Sequence, residues 1–162
     1  MLILFHQLQL LKAENGWIEI GKLIQRNYSK QVFVAMSFDD TMIPAYQAIE
    51  KAVKECDFIP IRIDKKEHNN EISGEILYEI RKSHFVISDV TAHKNGVYFE
   101  AGFAIGQKKP VIWSCHKDDF EKVHFDTRQY NHIVWKDEND LYKKMKDRIM
   151  GTIMINDDDT RS

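Results

Sequence analysis

Between residues 31 and 150, short β-branched and aromatic runs alternate with stretches of helical apolar spacing. That rhythm constrains the fold more than any other feature of the chain. The run 31–36 (QVFVAM) precedes 41–56, where Ile43, Tyr46, Ile49, Val53 and Cys56 recur at helical spacing. The run 58–63 (FIPIRI) reads as a second strand, and Pro60 points to a sheet edge because proline cannot donate to a ladder. Ile76, Leu77 and Ile80 share one helical face within 73–82. Residues 85–88, 111–114 and His132–Trp135 supply three further strands, and 97–107 and 138–150 two further helices. Strands separated by single helices pair in parallel through right-handed crossovers.

The expected fold class is therefore α/β: a flavodoxin-like, doubly wound, five-stranded parallel sheet of order 2-1-3-4-5. Residues 31–150 form this domain. Residues 1–30 stand outside the rhythm as a short helical N-terminal arm, with 2–12 and 17–26 as two helices broken at Asn15-Gly16. The arm reads as a helical or winged-helix remnant, as an oligomerisation arm, or as a segment packed on the sheet domain. Residues 151–162 are expected to be a flexible, largely acidic tail.

Length and charge narrow the partners. A chain of 162 residues builds one domain with a proper core. Its formal net charge of −2 provides no basic field for nucleic acid or an anionic membrane. Cys56 and Cys115 form no CxxC pair and suit a reducing compartment. The apolar start Met1-Leu2-Ile3-Leu4-Phe5 is too short for a signal peptide or a membrane span. A soluble cytoplasmic protein is expected.

In an open α/β sheet, ligands bind outside the carboxyl ends of the strands, and four segments of this chain fall there. Ser88-Asp89-Val90-Thr91 ends the third strand, Asn95 and Gly96 open the next helix, and Glu100 falls about one turn in, near the positive end of the helix dipole. Gly102 and Gly106, four apart, offer a bare face for close contact with the sheet. After the first strand, small Ala35 and Ser37 admit a ligand near the backbone, with Met36 and Phe38 as apolar walls. Asp39 or Asp40 suits a helix cap. After the second strand, Asp64, His68 and Asn69 are ligand candidates, while Lys65, Lys66 and Glu67 read as solvated. The long loop 115–130 brings Arg128, suited to a phosphate, and Tyr130 or Phe125, suited to stacking on a base.

Other chemistries find no footing in the sequence. The seven histidines show no HExxH-type spacing, so no metal site is expected. Neither GxxxxGK[ST] nor GxGxxG occurs, and no cofactor is expected. A receiver domain shares the fold and an acid ending the third strand, but Asp39-Asp40 lies late in its loop. The fifth strand, ending Val134-Trp135, also lacks a Lys-Pro turn.

The combination of VFVAMSF, an acid after the third strand, and GVYFEAGFAIGQKKPVIW resembles the nucleoside 2-deoxyribosyltransferase family. It is most similar to a divergent bacterial branch of N-glycosidases and defence effectors, and more distantly to NAD-cleaving TIR domains. The resemblance spans roughly residues 31–150 on a length-based domain reading. It implies that Glu100 attacks the anomeric carbon, that Asp89 holds the sugar or moves a proton, and that Met36, Ser37 and Phe38 line the pocket. The intervening turn is Thr91-Ala92-His93-Lys94-Asn95, where the transferases carry a second acid; the expectation is that His93 or His68 supplies that acid/base function or that it is absent. The implied activity is hydrolysis or transfer at the N-glycosidic bond of a nucleoside, nucleotide or NAD-like substrate. A homo-oligomer, dimer or larger, is implied too. The alternative from another class is a non-catalytic nucleotide-binding sensor.

Overall fold

A computed structural model of the chain describes residues 29–63 and 74–154. In chain order they form β1 (Gln31–Ala35), a 3₁₀ turn (Asp40–Met42) leading into α1 (Ile43–Glu55), β2 (Ile59–Ile61) and α2 (Gly74–Lys82). There follow β3 (Phe85–Asp89), α3 (Asn95–Gly106), β4 (Val111–His116), β5 (His132–Trp135) and α4 (Glu138–Arg148). The strands make one all-parallel sheet of order β2-β1-β3-β4-β5, the flavodoxin-like arrangement expected from the alternation. Pro60 sits on the edge strand, in register with Val32. The arm over residues 1–28 lies outside the described residues.

Strand periodicity divides the core into two layers. Val32, Val34 and Met36 of the first strand segment, with Phe85 and Ile87 of β3, pack under α1 and α4. Phe33, Ala35, Val86 and Val90 point the other way, under α2 and α3. Strands buried on both faces read as continuous apolar runs, which is why QVFVAM and FVIS show little polar alternation. The outermost strand, β5, has its open edge covered by lysine and arginine: Lys144 Nζ donates to Val134 O at 2.8 Å and Arg148 to Asn131 O at 3.1 Å.

Two expectations need correction. The chain from 151 to 154 is not tail but part of the π-helical continuation Ile149–Met154 of α4, and Ile153, 5% exposed, belongs to the core. An apolar residue within reach of Leu141 and Met145 gains more from burial than the short segment gains from freedom. Residues from 155 onward lie outside the described residues. In α3, Gly102 and Gly106 do not face the sheet; both are exposed, and a Cβ at either would meet nothing within 4 Å. The inner stripe is Val97, Ala101 and Ala104, spaced by three or four residues, and alanine supplies the close approach assigned to glycine.

The fold's functional geometry follows from these layers. The chain leaves β1 for α1 on one face and leaves the adjacent β3 for α3 on the other. The carboxyl ends of β1 and β3 are therefore the topological switch point, the place where doubly wound sheets bind their ligands.

Candidate active site

Glu100 lies on the inner stripe of α3 and is 2% exposed. The structure starts α3 at Asn95, two residues before the apolar period begins, so Glu100 is in the second turn and beyond the free N–H groups of the helix start. Its burial comes from packing toward β3, not from the dipole. Its neighbours on that stripe are Val97, Ala101 and Ala104.

The sharp entry into α3 is also not made where glycine suggests. Ala92 and His93 take the left-handed conformation, with φ of 67° and 50°, while Gly96 is helical with negative φ. Two successive non-glycine residues in that region store strain that the surroundings must hold. Here the hold is visible: His93 Nδ1 lies 3.3 Å from Tyr98 Oη, and its Nε2 lies 3.9 Å from Asp119 Oδ1. Thr91 Oγ1 accepts from His116 N at 2.8 Å. His93 is thereby turned toward the loop after β4.

Asp89, expected to hold the sugar or move a proton, faces the opposite side of the sheet from Glu100. Adjacent strand residues point to opposite faces, and Ser114 and Trp135, which Asp89 contacts, lie on the α1/α4 side. Glu100 is on the α2/α3 side. The Asp89 carboxylate is 0% exposed; Oδ2 accepts from Ser114 Oγ at 2.6 Å and Trp135 Nε1 at 3.0 Å, and Oδ1 from Thr91 N at 3.1 Å. Burial pushes its pKa up, against the pull of those donors. It braces the carboxyl ends of β3, β4 and β5 from within. On the other face, in register between Ala35 and Trp113, Ser88 carries a buried hydroxyl that has no partner among the described residues.

The loop after β1 keeps Ala35, Met36 and Ser37 buried. Met36 packs into the core beneath α1, and Ser37 Oγ accepts from Asp39 N at 3.3 Å, shaping the turn. Asp39 makes no side-chain cap. Phe38 is half-buried and meets a residue that no sequence motif singles out: the Arg62 guanidinium lies over its ring. Asn95 is exposed and Gly96 half-buried at the start of α3. Asp64, His68 and Asn69 lie outside the described residues.

The loop after β4 uses its candidates internally. Arg128 donates to Val123 O at 3.0 Å and to Glu121 O, so its guanidinium ties its own loop. Tyr130 stacks on Trp113 with centroids 5.3 Å apart and planes at 12°, so its ring face is already taken. Phe125 stays exposed beside His124. Sequence spacing carries no trace of the Tyr130–Trp113 stack, because Trp113 belongs to β4 and Tyr130 to the loop that follows it.

Among the described residues, no helix is long and apolar enough to cross a membrane, and no three His, Cys, Asp or Glu side chains gather as metal ligands would. No known protein-family model matches the chain, and no curated protein matches it either.

Proposed function

We propose that the chain cleaves the N-glycosidic bond of a nucleoside, nucleotide or NAD-like substrate, with Glu100 as nucleophile, as the resemblance to the nucleoside 2-deoxyribosyltransferases implies. One observation supports this most: a carboxylate, 2% exposed, is kept on the inner face of the helix that follows β3, next to the switch point of the sheet. In the proposed reaction a Glu100 oxygen bonds to C1′ as the C1′–N bond breaks and the base leaves with the electron pair; a nucleobase takes up a proton as it leaves, whereas nicotinamide departs neutral and needs none. Water then breaks the glycosyl ester, restoring the carboxylate. Asp89 acts through the frame it braces. His93, at the same turn, is the acid/base candidate among the described residues.

Asp89's engagement with three protein donors is the observation that favours the second reading, a sensor that binds nucleotide without breaking it. Mass spectrometry of a mixed nucleoside, nucleotide and NAD pool separates the two. Cleavage predicts free base released by the wild type, and at least a ~100-fold loss in Glu100→Gln, the worth of a positioned catalytic group. A loss of less than ~10-fold removes Glu100 from the mechanism. Stable binding of intact nucleotide through hours of incubation establishes the sensor instead.

A further inference from the structure

Arg62 follows β2 directly, and its guanidinium is held between two rings, 4.4 Å from the centroid of Phe38 and 4.3 Å from that of Tyr46. Phe38 comes from the loop after β1 and Tyr46 from the first turn of α1, so three elements meet around one cation at the carboxyl edge of the sheet. Ile61 pairs with Phe33 of the α2/α3 layer and Ile63 packs against that same layer, so Arg62 between them points to the α1 side.

Rings on both sides fix the guanidinium plane and leave its N–H edge as the surface through which it can bond. Among the described residues no carboxylate forms an ion pair with it. Asp39 and Asp40, in the loop that carries Phe38, are exposed and not paired with it, and the nearby Glu50 is bound to Lys54 at 2.8 Å. A planar, oriented fork of donors with no acid partner among the described residues matches a bidentate oxyanion.

We infer that Arg62 anchors the phosphate of the substrate, so that the site takes a nucleoside phosphate in preference to a free nucleoside. This rests on the Glu100 site proposed above. β2 and β3 flank β1, two strand spacings or roughly 10 Å apart. Arg62 projects on the α1 side and Glu100 on the α2/α3 side, so the proposed nucleotide passes over the carboxyl end of β1, its sugar on one side and its phosphate on the other. A neutral nucleoside gives the guanidinium nothing to pair with.

The test is calorimetric titration of the full chain with the four common nucleosides and their 5′-monophosphates, for wild type, Arg62→Gln, Arg62→Lys and Glu100→Gln, with base release followed in parallel. The wild type and Glu100→Gln bind a monophosphate about 10- to 100-fold more tightly than its nucleoside, the worth of hydrogen bonds to a charged group. That ratio falls toward one in Arg62→Gln and recovers only in part in Arg62→Lys, which keeps the charge without the fork. A merely structural arginine would weaken both ligands and leave the ratio unmoved. Equal affinities in the wild type, no binding of either ligand, or a ratio that neither Arg62 variant changes overturns the inference. An Arg62-dependent ratio without base release leaves the anchor standing and removes the cleavage reading. Base release from both ligands, with a ratio indifferent to Arg62, does the reverse.

Discussion

Two buried acids flank the turn from β3 into α3, and burial acts on them in different ways. Asp89 is enclosed by donors that use both of its oxygens on the α1/α4 side, and Glu100 is buried on the inner stripe of α3 on the other side. The enclosed acid also shapes its neighbours. Burial, followed by the negative fields of Asp89 and Asp119, pushes the Cys115 thiol up to about 12. At pH 8 the reactive thiolate is therefore scarce as well as inaccessible. Iodoacetamide should leave Cys115 unmodified in the native protein and alkylate it in denaturant, as read by intact mass. Buried Cys56, its pKa also raised chiefly by burial, should behave alike. Rapid native labelling of Cys115 would mean that the layer under α3 opens. At this scale the sequence was least legible. Arg62 reads as one more residue of FIPIRI, and only tertiary packing brings Phe38 and Tyr46 to its two faces.

Elements were legible because they rest on local periodicity, and their misreadings have local causes. In α3 nearly every position from Val97 to Ile105 is apolar or glycine, so no single stripe stands out and the glycine pair looked like the packing face. The structure places Ala101 and Ala104 inside and leaves Gly102 outside, with negative φ and open space around its missing Cβ. A glycine in a helix interior costs backbone entropy with no packing return. Gly102→Ala should therefore stabilise the protein by about 0.5–1 kcal/mol, measured as a higher urea midpoint with an unchanged slope. Had the glycine face been the contact face, the same change would force α3 off the sheet and destabilise it. The tail was misread at 151 for a related reason: Gly151 and Thr152 signal an end, but Ile149 and Ile153, four apart, carry the helical stripe past them.

At the scale of the whole molecule, strand order followed from counting single-helix crossovers, and the switch point followed from the order. Which strand ends are tied together could not be counted. Asp89 joins β3 to Ser114 of β4 and Trp135 of β5, a connection set by the lateral register of three strands. That brace gives the fold a specific pH response. Burial raises the Asp89 pKa above its ordinary value, so the folded chain holds the proton more tightly than the unfolded chain, whose carboxyl titrates near ~3.9. Its stabilising contribution is largest below the unfolded value. It declines as pH rises through the window between the unfolded and folded values, and is level above that window. Asp89→Asn removes the titration and keeps an oxygen for the donors. The unfolding free energy of Asp89→Asn relative to wild type should thus shift in favour of asparagine as pH climbs from about 4, then stop changing. Asp89→Ala, by contrast, leaves the Ser114 hydroxyl and the Trp135 N–H without their acceptor and should cost about 1–3 kcal/mol for each at any pH. Urea denaturation of the three proteins across this range reads both effects. A difference that instead grows in favour of aspartate with rising pH would show that its three donors outweigh burial, and that the brace is held as an anion from the start.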